Sequence, residues 1–323
     1  MCILVTGGAG FIGANLCQRL LEQNHEVIAV DNLITSDGGN LNKLRSFPNF
    51  TFIKHDITNP LPHALTAYRL PLTAIYHLAC PTGVPNLTKL AEEMLLTCSI
   101  GTRNILELAR THKAKFLVVS SSETYGNPLI FPQTENYTGN VDPTGIRSPY
   151  EEGKRFTESL VSIYVRKYKL DAKIVRVFNT YGPGMDRSET RVVPRFLRQA
   201  LSNKPITIHG KGTQTRTFCY VDDLVNGLLI IMKKGKSGEV YNLGSDQQVT
   251  IRQLAELIIN VTKSKSKIIK IKRLKHDHES RLPDLTKVKK LGWKLHTPLE
   301  DGLRKTSKSL NPSSFYIPNH VDQ

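Results

Sequence analysis

The run Cys2-Ile3-Leu4-Val5-Thr6 reads as a short apolar strand, and Gly7-Gly8-Ala9-Gly10-Phe11-Ile12-Gly13 follows it at once. Three glycines at three-residue spacing, between a strand and an amphipathic stretch, constrain this chain more than any other feature. Gly7 permits a tight turn, Gly10 lets the backbone approach a pyrophosphate, and Gly13 allows a helix to pack close to the strand. The start of that helix, from Phe11 and Ile12, offers unpaired N–H groups to phosphates. A lone G-x-x-G-x-x-G is weak evidence, but here the strand, the helix and an acid closing the second strand, Asp31, all stand in place. Asp31-Asn32 lies about twenty residues beyond the glycines, where a carboxylate accepts from both ribose hydroxyls and repels a 2′-phosphate. NAD is therefore favoured over NADP. Asp56-Ile57, at the end of the third strand, reads as the neighbour of the adenine.

Strand patterns at Cys2–Thr6, Glu26–Val30, Thr51–Lys54, Ala74–Leu78, Phe116–Ser120 and Ala172–Phe178 alternate with helical ones at Ile12–Glu22, Glu92–His112 and Tyr150–Tyr168. This alternation predicts an α/β protein, a Rossmann-type doubly wound parallel sheet covered by helices on both faces. After Phe178 the rhythm becomes irregular, with helices near Val192–Leu201, Val221–Lys233 and Ile251–Thr262 and short strands near Ile206–His209 and Val240–Leu243. The expected division is a dinucleotide-binding domain over 1–178 and a smaller C-terminal α/β substrate lobe over 179–311. Some elements of the second part are free to return to the first, and 312–323 reads as a loose tail.

The chain has 323 residues, 39% of them hydrophobic, so it can build a core without staples. Its longest purely apolar stretch, Leu228 to Met232, is far short of the roughly 20 residues a membrane helix needs. No basic segment precedes Cys2–Val5, and a soluble, cytoplasmic protein is expected. Five cysteines, at 2, 17, 80, 98 and 219, contain no C-x-x-C pair and read as free thiols. His276-x-His278 sits in a lysine-rich stretch that reads as solvated surface, so no metal is expected. Residues 1–150 carry 11 basic and 11 acidic side chains, so the whole formal charge of +16 lies beyond them. The lysines from Lys263 to Lys275 alternate with Ile268, Ile269 and Ile271, which reads as a strand with a wet face rather than a nucleic-acid-binding tail.

Two further segments carry chemistry. Ser120-Ser121-Ser122-Glu123-Thr124-Tyr125-Gly126 ends the fifth strand, and Tyr150-Glu151-Glu152-Gly153-Lys154 opens a helix. Tyr150 and Lys154, four residues apart, share one helix face. A nearby ammonium and the positive nicotinamide favour phenolate, and lowering a tyrosine pKa from about 10 to about 7 takes roughly 4 kcal/mol. Ser121 can then hydrogen-bond the substrate oxygen and complete a proton relay.

The glycine segment, His77-Leu78-Ala79, Ser121 and Tyr150-x-x-x-Lys154 resemble the extended short-chain dehydrogenase/reductases that act on nucleotide sugars. Arg176-Val177-Phe178-Asn179-Thr180-Tyr181-Gly182-Pro183 and Thr215-Arg216-x-Phe218-x-Tyr220-Val221-Asp222-Asp223 extend the resemblance over roughly residues 1–308. It implies a tightly held NAD, contacted also by Leu78 and Ala79, that oxidises the sugar at C4 and later returns the hydride. It further implies that Asn179 and backbone near Val192 hold the nucleotide diphosphate, with Arg216 and Arg281 on its phosphates. A homodimer through a four-helix bundle, built from Glu92–His112 and Tyr150–Tyr168, is implied as well.

Within this group a 4,6-dehydratase carries an Asp-Glu pair where this chain has Ser122-Glu123, and a 4-epimerase needs no carboxylate there. Ser121-Ser122-Glu123, Arg147, Tyr-Glu-Glu-Gly-Lys-Arg, His77-Leu78-Ala79-Cys80-Pro81 and Gly101-Thr102-x-Asn104 resemble the UDP-glucuronate decarboxylases, which make UDP-xylose. That likeness assigns proton transfer to Tyr150, with Lys154, Ser121 and Glu123 as the other catalytic groups and Asn104 and Arg147 near the substrate. A UDP-hexose or UDP-hexuronate 4-epimerase is the alternative, with a 4,6-dehydratase and a dinucleotide-binding sensor or RNA-associated protein behind it. The chain departs from the decarboxylase pattern over Thr82–Leu96, where the tyrosines are gone and Leu96 stands in place of a lysine. Cys98 stands where Asn is usual and Gly184 where Arg is usual.

Overall fold

The computed structural model describes residues 1–66, 71–186, 188–272 and 281–310. Thirteen strands occur among them: β1 (Cys2–Thr6), β2 (Glu26–Asp31), β3 (Phe50–Lys54), β4 (Leu72–His77), β5 (Lys115–Ser121), β6 (Ala172–Val177), β7 (Thr180–Tyr181), β8 (Ile206–His209), β9 (Thr215–Thr217), β10 (Cys219–Tyr220), β11 (Val240–Leu243), β12 (Gln248–Thr250) and β13 (Ile268–Ile271). Seven form one parallel sheet in the order β3-β2-β1-β4-β5-β6-β11. The order reverses between β1 and β4, the point at which ligands of open α/β sheets bind. The expected Rossmann-type sheet is present, and the chain beyond 178 supplies its outer strand, β11, which pairs in register with β6 from Val240 opposite Ile174.

Alternation along the strands divides the core between the two faces of the sheet. Ile3 and Val5 point into one apolar cluster with the helices Phe11–Glu22 and Val221–Lys234, while Cys2 and Leu4 point into another under Thr102–His112 and Ser148–Tyr168. The first cluster continues without a break into the smaller lobe, through Phe196, Leu197, Leu254 and Leu303. There the helices Val192–Leu201, Ile251–Thr262 and Leu299–Leu310 pack together. Short pairs β7/β10, β9/β12 and β8/β13 complete the lobe. Thr250 caps its helix through a reciprocal bond with Gln253. The buried Asp223 carboxylate accepts from the backbone of His296 and Thr297, and its carbonyl accepts from the Trp293 indole.

Periodicity located most elements to within two residues. The stretch expected as one helix over Glu92–His112 is instead helical over Ala91–Leu96, π-helical over Thr97–Gly101 and helical again over Thr102–His112. The wider π turn sets Gly101 against Ile57, where a Cβ would lie 2.9 Å from the isoleucine side chain. The lysine-bearing strand Ile268–Ile271 pairs in parallel with β8 and is mostly exposed. His276, His278 and the tail from residue 312 lie outside the described residues.

Candidate active site

A cavity opens at the carboxyl ends of β1 and β4, lined by the glycine turn, Asp31, Asp56, Ser121, Tyr150 and Lys154 among others. Gly7 adopts a φ of 71°, which side chains other than glycine rarely tolerate. A Cβ on Gly13 would stand 2.1 Å from the Gly7 carbonyl oxygen, so turn and helix meet only because both residues are glycine. Gly10, Phe11 and Ile12 line the same wall. The Asp31 carboxylate accepts from Ala9 N–H at 3.0 Å and Leu33 N–H at 2.9 Å, which orients it at the rim. Burial raises its pKa and the backbone donors oppose that rise. Asn32 donates to the Asp56 carboxylate at 2.9 Å and so ties the ends of β2 and β3 together. Ile57, Leu78 and Ala79 complete this end, where the buried His55 Nε2 has no hydrogen-bond partner. The glycine cradle, the acid pair and this orphaned donor or acceptor fit a dinucleotide.

On the opposite wall the helix Ser148–Tyr168 presents Tyr150 and Lys154 to the cavity. Lys154 Nζ donates to the Val119 carbonyl at 2.9 Å and lies 5.9 Å from the centre of the Tyr150 ring. Ionisable neighbours, led by Cys80 and Cys98, outweigh burial and raise the Lys154 pKa, so it is an ammonium. The Tyr150 phenol is pushed up by burial, while Lys154 and the hydrogen-bonding Ser121 hydroxyl pull it down. Phenolate is thus not reached by the protein's own groups. The positive charge of an oxidised nicotinamide is the contribution still to be added. Ser121 also accepts from Glu123 N–H at 3.2 Å, which fixes the turn after β5.

Glu123 stands in the turn directly after Ser121, between two guanidiniums. Arg281 Nη1 donates to its Oε1 at 2.5 Å, and Arg147 Nη2 holds its Oε2. Burial opposes ionisation, but Arg281 and then Arg147 hold this carboxyl well below the usual range. Arg281, expected on a diphosphate, is buried here against Glu123, Ser122 and the Gly126 carbonyl. Arg147 likewise spans Glu123 and Glu151. Asn104 was expected near the substrate, yet it donates to the carbonyls of Ile57 and Asn59 and braces the loop after β3. Asn179 lines the cavity and donates to the Thr217 carbonyl at 3.3 Å. Val192 opens its helix beside the cavity-lining Arg191, and Arg216 donates to the Thr215 carbonyl.

Several supports escaped the sequence reading. Gln133 clasps the Arg281 segment: its backbone donates to the Leu282 carbonyl, its side chain accepts from Leu282 N–H, and its carbonyl accepts from Asp284 N–H. Arg176 forms a bidentate pair with Glu158, which also accepts from Ser120. His77 is buried between the hydroxyls of Thr6 and Thr102, at 2.7 and 3.1 Å, and Thr157 extends the chain to the Cys98 carbonyl. Cys80 and Cys98 lie with their sulfurs 3.5 Å apart. Each of these joins residues far apart in the chain, and no local spacing signals them.

Comparison with known proteins gives a consistent result. Residues 3–244 match the family model described as the NAD dependent epimerase/dehydratase family. UDP-glucuronic acid decarboxylase 6 of Arabidopsis thaliana is 42% identical over 305 residues, 94% of this chain and 87% of the relative. The UDP-glucose 4-epimerase of Thermotoga maritima, solved with UDP-glucose, superposes with a TM-score of 0.88 at 31% identity, covering 97% of this chain and 99% of that one. The UDP-glucuronic acid 4-epimerase of Bacillus cereus, solved with UDP-glucuronic acid and NAD, gives 0.86 at 30% identity, covering 96% and 99%.

Proposed function

Because the chain belongs to the NAD dependent epimerase/dehydratase family, we propose that it decarboxylates UDP-glucuronate to UDP-xylose without net redox change. The observation that carries this reading is the ionised Glu123, clamped by Arg281 and Arg147 directly after Ser121. A 4,6-dehydration needs an acid at position 122, where this chain has a buried serine. The relationship to UDP-glucuronic acid decarboxylases over 94% of the chain supports the same choice.

NAD, held by the glycine turn, Asp31 and the Asp56 end of the cavity, supplies reversible hydride transfer at C4. Tyr150 takes the proton of the C4 hydroxyl, and Lys154 favours the phenolate that does so. Once C4 is a ketone, the C5 carboxylate is β to it and leaves as CO₂, placing charge on O4. Ser121 and the reprotonated Tyr150 donate to that oxyanion. Glu123, fixed as a carboxylate, orients a water or the sugar for protonation at C5. Arg281 and Arg147 act through Glu123.

The proposal extends to assembly. Leu95, Leu96, Ile100, Phe156 and Ile163 are exposed on the helices Ala91–Leu96 and Ser148–Tyr168 and on the π turn Thr97–Gly101 that follows the first of them. This apolar surface suits a homodimer formed through a four-helix bundle. Among the described residues no helix is long and apolar enough to cross a membrane, and the five free thiols suit a reducing cytoplasm.

The deciding experiment incubates the protein with UDP-glucuronate and NAD and follows product mass. Loss of one CO₂ per sugar, with no accumulation of NADH, is the expected result. An unchanged mass with inverted C4 would instead assign a 4-epimerase.

A further inference from the structure

Cys80 lies in the loop after β4 and lines the cofactor cavity, half-buried. Cys98 is buried in the π turn, 18 residues away in sequence, yet the two sulfurs are 3.5 Å apart. Burial pushes the thiols of Cys2, Cys17 and Cys219 up, which leaves them inert. Cys98 differs: its hydrogen bond with Cys80 outweighs burial, and with Lys154 and Thr157 it pulls the Cys98 thiol down. Cys80 shifts the other way: the same hydrogen bond, then burial, push its thiol up, and Lys154 only opposes that rise. The pair therefore combines a cavity-lining thiol, Cys80, with a buried and more readily ionised one, Cys98, at contact distance.

We propose that Cys80 and Cys98 are a redox modification site in the wall of the cofactor cavity, which peroxides convert reversibly to a disulfide that slows turnover. The thiolate attacks one peroxide oxygen; the O–O bond breaks, giving a sulfenic acid and hydroxide, which takes a proton to become water. The second sulfur then attacks the sulfenic sulfur. The S–S bond forms, the S–O bond breaks, and the oxygen leaves as a second water with the remaining thiol proton. Each sulfur loses one electron and the peroxide gains both.

A disulfide needs about 2.05 Å between the sulfurs, so the loop after β4 and the π turn must draw together from 3.5 Å. A Cβ on Gly153 would lie 3.2 Å from Cys98 Sγ, which places that sulfur against the helix one residue before Lys154. Movement there displaces the ammonium beside Tyr150. A shift of about 1 Å at a reacting group costs up to about a hundredfold in rate, and about tenfold is expected here.

The test treats the NAD-loaded protein with hydrogen peroxide, then alkylates free thiols and measures intact and peptide masses. The expected result is a protein two hydrogens lighter, a cross-linked peptide pair containing Cys80 and Cys98, and a drop in turnover that dithiothreitol reverses. Cys98→Asn, a change at a residue that does not line the cavity, is expected to keep its untreated turnover and lose the dithiothreitol-reversible response. Full alkylation of both cysteines after peroxide, or separate oxidation to sulfinic acids, overturns the site. A cross-link that leaves turnover unchanged overturns its coupling to Lys154. The mass measurement stands whichever sugar the enzyme uses.

Discussion

At position 13 one methyl group decides whether the cofactor turn can close. The 2.1 Å approach to the Gly7 carbonyl leaves Gly13→Ala no room, because the obstacle is backbone. This variant should lose about 1–3 kcal/mol of stability and most of its bound NAD, checked by thermal melting and by cofactor content after gel filtration. Tyr150→Phe, by contrast, should keep NAD and lose about 10²–10⁴ in turnover. The Tyr150–Lys154 pair also has a pH signature. Burial raises the phenol and Lys154 lowers it, so turnover should climb with pH as the phenol ionises. Removing the ammonium in Lys154→Met should move that limb to higher pH; an unmoved limb in the pH–rate profile would falsify the assignment. Both residues were legible because four-residue spacing on a helix is a local property. Glu123 was visible as a carboxylate after a serine run, but its partners were not, since Arg147 and Arg281 lie 24 and 158 residues away.

Elements show the same division between local and distant information. The strands of the main sheet are short runs buried on both faces or one, and their β-branched composition announces them. The break over Thr97–Gly101 gave no such warning, because the apolar pattern from 91 to 112 runs through it without a change of period. That break follows from packing: the turn carries Cys98 toward Cys80 and Gly101 toward Ile57. The resemblance implies Arg281 on a phosphate, but the clasp of Gln133 on the segment that carries it, against the turn after β5, has no signal in local spacing. The helix Ser148–Tyr168 presents Lys154 inward and Phe156, 52% exposed, outward. Phe156→Glu places a charge on the proposed dimer face and should give a monomer by analytical ultracentrifugation, with NAD still bound. A dimer that survives this change would remove the four-helix arrangement from consideration.

For the whole molecule, the buried His77 links acid stability to the sheet. Burial, helped by Lys154, lowers its pKa from 6.5 to about 3, so the fold holds it neutral. The unfolded chain binds a proton below pH 6.5 that the folded chain refuses until about pH 3. Its contribution is therefore complete above the unfolded value and is lost as pH falls through that window. The slope is about 1.4 kcal/mol per pH unit while only the unfolded state is protonated. Urea midpoints measured from pH 7 to pH 4 should fall less steeply in His77→Asn than in the parent. The sheet's outer strand, β11, has a different consequence, one for synthesis. Its residues, 240–243 of 323, leave the ribosome long after β6 at 172–177. Throughout that interval the nascent chain carries an open β6 edge, able to pair with a neighbour on the same messenger. A fragment ending at residue 178 would keep that edge permanently and should be recovered as aggregate, whereas translation completed through β11 seals it from within.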